Sequence, residues 1–326
     1  MSQKIAVILL NLGGPGTLDE VRPFLMRLFS DREIIRLPLQ PLFSRLIVCF
    51  RLKNVLDNYR KIGGGSPILK ITQQQGEALQ DRLRRSGIDA SVRIAMRYTS
   101  PTASEVVAEI EREEADKVIA LPLYPHYSRT TTGSSLNDLD RAFEKAGIRK
   151  EYTAVRSWCD HPAYLDVLAS KVREGLADFP EECRDEVEVV FSAHALPQRM
   201  IDEGDPYLSE IEKTVRGVVE RVDGISHHLA FQSRSGPVKW MRPGTEEVID
   251  RLAAAGKKAL LMVPVSFVSD HIETLYEIDM LYRDRAKERG ITEYRRTESI
   301  NIDPEFINVL ARIVEEHMGK KNVIRV

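Results

Sequence analysis

Cysteine is scarce in this chain of 326 residues: Cys49, Cys159 and Cys183 stand far apart and match no CxxC spacing. That pattern argues against a structural zinc or an iron–sulfur cluster and fits a reducing cytosol. Net charge is almost missing as well, because 47 Lys and Arg against 49 Asp and Glu leave −2 and a pI of about 6.4. No basic footprint for nucleic acid results. Long apolar runs are also lacking. The opening MSQKIAVILLNLGGPG holds a run of about six apolar residues with no basic leader or cleavage site, so it reads as a first strand and neither signal peptide nor span. GxGxxG and GxxxxGK[ST] are both absent. The glycines of Asn11-Leu12-Gly13-Gly14-Pro15 and Gly63-Gly64-Gly65-Ser66-Pro67 therefore indicate tight turns or close backbone approach, with Ser66 a donor for an anion.

What is present is alternation. Apolar runs near 4–10, 90–96, 117–123 and 151–156, and again near 186–192, 226–232, 258–265 and 293–298, are separated by helical patterns. This is the mark of an α/β protein with parallel sheets. Three of the four corresponding pairs are offset by about 136 to 142 residues and the first by about 180, so the order of the first half returns in the second. The expectation is two similar doubly wound domains, each with a four-stranded parallel sheet, over 1–160 and 161–326. The extra length is an insertion at about 31–69. Thr102 with Glu105 forms a capping-box pattern, and Asp303-Pro304 sets a capping acid before a proline at the first helical position. Pro23 should kink or divide the helix around 18–29.

Ligands of open parallel sheets collect beyond the carboxyl ends of the strands. There the chain places Arg97-Tyr98, Ser192-Ala193-His194, Gln232-Ser233-Arg234 and the stretch from Ser266 to Glu273. Strand ends of both halves are involved, which suggests a cleft between the domains. Residues 260–279, LLMVPVSFVSDHIETLYEID, change from a buried strand to a helix at Asp270. Glu273 and Glu277 stand four apart on one helical face with Asp270 and His271 at its mouth, and two stacked carboxylates invite a metal ion or a proton. Taken singly, they also suit a solvated helix face. His194, after the buried strand, can accept a proton or bind a metal, or can simply hydrogen-bond its loop. In TTTGSS, residues 130–135, capping of the next helix by Ser134 or Ser135 is expected over anion binding. His227 and His228 point to opposite faces of a strand and cannot chelate one ion together. Residues 37–52, LPLQPLFSRLIVCFRL, are too short and proline-broken to span a bilayer, with Pro38 and Pro41 expected to prevent one long helix. They read as a core hairpin or as an apolar lip that admits a greasy substrate or rests on a membrane.

NLGGP, YRKIGGGSPI, AMRY, YPHYSRTTTGSSLN, SAHALP with DEGDPY, AFQSRSGPVKW and VPVSFVSDHIETLYEID, in this order, resemble the ferrochelatase family from Asn11 to about Asn301. The resemblance implies an enzyme, a lyase that inserts ferrous iron into a porphyrin at the end of haem synthesis. Iron is then substrate, with no resident cofactor. It also implies that His194 and Glu273 are catalytic and metal-binding and face each other across the macrocycle, with Glu277 as a second acid and Asp270 and His271 in support. Leu12, Arg51, Tyr59, Ser66, Arg97, Tyr98, Trp240 and Phe267 match pocket-lining positions. Some members hold an iron–sulfur cluster on C-terminal cysteines; none follows Cys183 here, so no cluster is expected. Protoporphyrin IX is the expected substrate, with coproporphyrin III, another tetrapyrrole chelatase activity or a non-catalytic porphyrin carrier as alternatives. The expected setting is the cytoplasm, with peripheral contact at the inner face of the cell membrane through residues 37–52.

Overall fold

The computed structural model describes residues 4–36, 38–113, 115–148 and 151–320. The chain divides into two compact units: the described residues up to Trp158 together with those from Asn301 on, and Cys159–Ile300.

In the first unit the strands are β1 (Ile5–Asn11), β2 (Ala90–Met96), β3 (Lys117–Pro122) and β4 (Tyr152–Ala154), all parallel and ordered β2-β1-β3-β4. All seven residues of β1 are buried, which is why its sequence IAVILLN runs apolar as far as Asn11 at its carboxyl end and does not alternate. Each fully buried Leu, Ile or Val in such a strand contributes about 1.5–3 kcal/mol. Between the strands run α1 (Leu18–Ser30), α2 (Gln40–Lys61), α3 (Ile68–Arg85), α4 (Ala103–Glu113) and α5 (Ser134–Ala146). The start of α4 is the expected capping box: the Thr102 N–H donates to Glu105, and the Glu105 N–H lies 3.4 Å from Thr102 Oγ1.

The second unit repeats the plan. β5 (Glu188–His194), β6 (Ser226–Gln232), β7 (Ala259–Pro264) and β8 (Glu293–Arg296) are parallel in the order β6-β5-β7-β8, flanked by α6 (Pro162–Ala177), α7 (Gln198–Asp202), α8 (Tyr207–Val219), α9 (Thr245–Ala254) and α10 (Arg283–Glu288). A π-helical segment follows the third strand of each sheet, Arg129–Gly133 after β3 and Glu273–Tyr282 after β7. The last helix, α11 (Pro304–Met318), starts on Asp303, whose carboxylate accepts from the Glu305 N–H at 2.9 Å.

Four expectations need correction. The second domain does not run to the end of the chain: the boundary falls at Trp158/Cys159, and α11 belongs to the first unit. There Arg82 Nε donates to Asn308 Oδ1 at 2.7 Å and the Trp158 and Phe306 rings lie 5.9 Å apart. Pro23 does not divide α1, because the carbonyl that it leaves unbonded is that of exposed Asp19 in the first turn, where water can serve. Pro41 does not prevent a long helix either: it occupies the first turn of α2, whose N–H groups have no helical partner anyway, and the 22-residue helix runs on to Lys61. Finally, neither Ser134 nor Ser135 is a cap; the helical run begins earlier, where Ser128 Oγ accepts from the Thr130 N–H at 3.2 Å.

The two glycine-rich loops interlock. Ser66 N–H donates to Pro15 O at 2.7 Å, and a Cβ placed on Gly65 would lie 2.0 Å from Gly16 O. Backbone cannot retreat as a side chain can. Gly65→Ala is therefore expected to lower stability by roughly 1–3 kcal/mol, read as an earlier urea midpoint. An unchanged midpoint would show that the loops separate freely.

Candidate active site

β5 and β6 end side by side, with His194 paired in register to Gln232. The His194 backbone is fixed at both ends: its N–H donates to Ser266 Oγ at 3.0 Å, and its carbonyl accepts from Tyr207 OH at 3.0 Å. The loop after β7 then brings the π segment across these strand ends. His194 Nδ1 lies 2.8 Å from Glu273 Oε2. With Nδ1–H donating to the carboxylate, Nε2 keeps its lone pair as a proton acceptor or metal ligand. The imidazole is 38% exposed and the Glu273 side chain 17%, so the histidine is the more accessible member.

Glu273 is shared among several partners. Its Oε1 lies 3.8 Å from His271 Nε2, and its Oε2 accepts from Ser233 Oγ at 2.7 Å. Phe267 closes one side with its ring edge-on to His271 at 4.4 Å and to His194 at 6.5 Å between centroids. Burial alone would lower the His194 pKa, but the charge and hydrogen bond of Glu273 outweigh it and the net shift is upward. For Glu273 burial acts to raise the pKa, and the two imidazoles reverse this and hold it well below the ordinary range.

Glu277 goes the other way. Burial first, and then the charge of Glu273, push it up to about 7. Ser233 Oγ is 2.6 Å from Glu277 Oε2 and 2.7 Å from Glu273 Oε2. One hydroxyl supplies one proton, so both contacts are bonding when one carboxyl is protonated and donates to Ser233 while Ser233 donates to the other, and the opposite pKa shifts make Glu277 the protonated one. Ser233 sits at φ +63°, a left-handed conformation unusual outside glycine. Behind it, Ser192 Oγ donates to Gln232 Oε1 at 2.7 Å, which turns the amide nitrogen toward the carboxylates at 3.4–3.5 Å.

The second unit thus gathers His194, Glu273, Glu277, His271 and Phe267. Asp270 at the helix mouth accepts from Thr274 Oγ1 at 2.9 Å. Trp240 pairs with Pro197, three residues past His194, and borders an open pocket of about 420 Å³ with Arg234, Lys239 and Arg242; neither His194 nor Glu273 lines it. Leu12, Arg51, Tyr59, Ser66, Arg97 and Tyr98 lie in the first unit. Arg97 and Tyr98 are engaged there, since Asp31 Oδ2 accepts from Arg97 Nη2 at 2.8 Å, Tyr98 OH at 2.6 Å and Ser134 Oγ at 2.7 Å. Tyr98 and Tyr59 are buried, and Arg51 rests over the Phe29 ring.

One implied feature is overturned. His194 and Glu273 come from the same unit and touch, so no macrocycle fits between them. The two side chains stand together, not on opposite walls. Among the described residues, no group of three or more His, Cys, Asp or Glu stands ready to hold a metal.

Two repeated β2-β1-β3-β4-type sheets, all parallel and flanked by helices, define a duplicated, doubly wound α/β protein. SirB from Bacillus subtilis with Fe3+ shares this fold at a TM-score of 0.59 and 11% identity, over 97% of this chain and 96% of that one. The family model described as Ferrochelatase matches residues 4–318. Similar chains include the ferrochelatases of Geotalea uraniireducens, 53% identical over 98% of this chain and 100% of the relative, and of Synechocystis sp., 46% identical over 97% and 83%. The chain belongs to the ferrochelatase family.

Proposed function

We propose that the chain inserts ferrous iron into protoporphyrin IX, releasing two protons, with His194 as acceptor of the pyrrole protons. Membership of the family makes it a chelatase enzyme that places iron in a porphyrin. The observation that carries the residue assignment is the 2.8 Å contact between His194 and Glu273. Glu273 orients the ring so that Nε2 accepts, and its charge stabilises the imidazolium that forms, a division of labour familiar from base–orienter pairs. Ser233 and Glu277 extend the chain of hydrogen bonds away from the histidine, giving the proton a route out. A flat porphyrin offers the metal no approach while both N–H groups lie in plane, so binding energy from the rest of the macrocycle is spent on bending it.

Supporting protoporphyrin over coproporphyrin is the apolar face of α2. Phe50 is 82% exposed, and Leu39, Leu42, Phe43 and Leu46 are exposed beside it. The core-hairpin reading of 37–52 fails on this exposure; Leu37 lies outside the described residues. Such a surface suits vinyl groups better than extra carboxylates. Anaerobic mixing of each free-base porphyrin with ferrous iron tests the reading through loss of free-base fluorescence. Faster turnover of coproporphyrin III would overturn the substrate choice, and no turnover of either would favour a carrier.

The same face supports peripheral membrane contact of a cytoplasmic protein. Arg36, Arg45, Arg51 and Lys53 accompany it with no acidic residue between 34 and 56, a pattern that anionic headgroups attract. No described helix is long and apolar enough to cross a membrane. Co-sedimentation with phosphatidylglycerol vesicles should fall when Leu46 and Phe50 are both changed to serine; equal sedimentation would remove the contact. Iron is substrate in this reading, and the purified protein is expected to lack iron–sulfur absorbance.

A further inference from the structure

A π-helix ten residues long is uncommon, and such segments persist where their surroundings hold them. Here Glu273–Tyr282 is gripped on two sides. On one, Glu273 and Glu277 meet His194, Gln232 and Ser233. On the other stands Arg296, the last residue of β8, only 11% exposed. Its Nε donates to Asp279 Oδ1 and its Nη2 to Asp279 Oδ2, both at 2.8 Å. Its Nη1 lies 3.3 Å from Asp270 Oδ1 and donates to Ser299 Oγ at 3.0 Å. One guanidinium therefore spans a loop residue three positions ahead of the π segment and a residue past its middle. Tyr294, two residues back on β8, adds a hydrogen bond from its hydroxyl to Ile278 O at 2.7 Å.

We propose that Arg296 is a positioning residue for insertion: by clasping Asp270 and Asp279 it holds the π turn that presents Glu273 and Glu277 to His194 and Ser233. The charges explain the need. Asp270, Glu273, Glu277 and Asp279 crowd four acids into ten residues, and Arg296 sets a buried cation on the two that do not face His194. Arg283, 3.9 Å from Asp279, is half exposed and screened by water. A bidentate fork fixes direction as well as charge, which a lysine cannot fully copy.

This inference rests on the reading that the acid pair serves iron insertion. The test uses the full-length protein with protoporphyrin and ferrous iron, at a temperature where circular dichroism shows each variant folded. Arg296→Met should lower kcat about tenfold while porphyrin KM and fluorescence-quench affinity stay within twofold, and Arg296→Lys should recover part of the loss. Asp279→Asn, which leaves the Asp270 contact in place, should show a smaller loss of the same kind; it serves alone if Arg296→Met does not fold. A folded variant with parental kcat, or one whose porphyrin affinity falls in step with kcat, would overturn the proposal. A parental enzyme that inserts no iron would instead sink the functional reading itself.

Discussion

Replacing His194 by alanine is expected to lower kcat for iron insertion by about 10²–10⁴-fold, the range that loss of a general base usually costs. Porphyrin binding should persist, because the imidazole is a partly exposed group at a strand end and not part of a packed core. Its backbone contacts to Ser266 and Tyr207 do not involve the ring and survive the change. Equilibrium quenching of porphyrin fluorescence and single-turnover insertion would separate the two effects. A variant that turns over at the parental rate would show that pyrrole protons leave by another route.

The second large effect is expected at Glu273. Glu273→Gln keeps size and a hydrogen-bonding oxygen but removes the charge that raises the His194 pKa, so kcat should fall on the order of 10²-fold. The pH profile gives the sign. In the parent, the opposing charge holds His194 protonated to higher pH than an ordinary histidine, which places the acid limb of kcat/KM above the reference value of about 6.5. Without the charge, burial is opposed only by the more distant Glu277 and the limb should move to lower pH. Glu277→Gln should cost less, about tenfold. With its pKa pushed up to about 7, Glu277 is already neutral through the acid half of the range, and a glutamine amide can still donate to Ser233. A larger loss at Glu277 than at Glu273, or an acid limb unmoved by Glu273→Gln, would reverse these roles.

Much of this arrangement was legible in the residues. The central strands could be located because a strand buried on both faces reads as an almost unbroken apolar run, as in β1 and β7. His194, Glu273 and Glu277 stood out because polar residues followed such runs directly. Ser233 and Gln232 were seen at a strand end, but nothing in QSR says that a serine at positive φ would bridge two carboxylates. Arg296 gave no signal at all: an arginine at the end of a short edge strand resembles a solvated one until the helix beside it is known. The placement of α11 was hidden for a similar reason, since an apolar stripe says that a helix is covered and not by which sheet. The sense of Pro41 depended on a helix boundary one residue away, an uncertain feature of any sequence pattern, and that of Pro23 on whether the Asp19 carbonyl faces water.

The face-to-face reading of His194 and Glu273 failed on distance. That failure strengthens the chemical case, because an acid in contact with a base can orient it and an acid across a porphyrin cannot. The pair should then behave as one device. The direct test is the double variant His194→Ala with Glu273→Gln, compared with His194→Ala alone in single-turnover iron insertion. If Glu273 works through the imidazole, the double variant should be no more than about threefold slower than the single one, since residues acting as a unit are strongly non-additive. Multiplication of the two separate losses would contradict the account and make the carboxylate an independent actor on the metal or the ring.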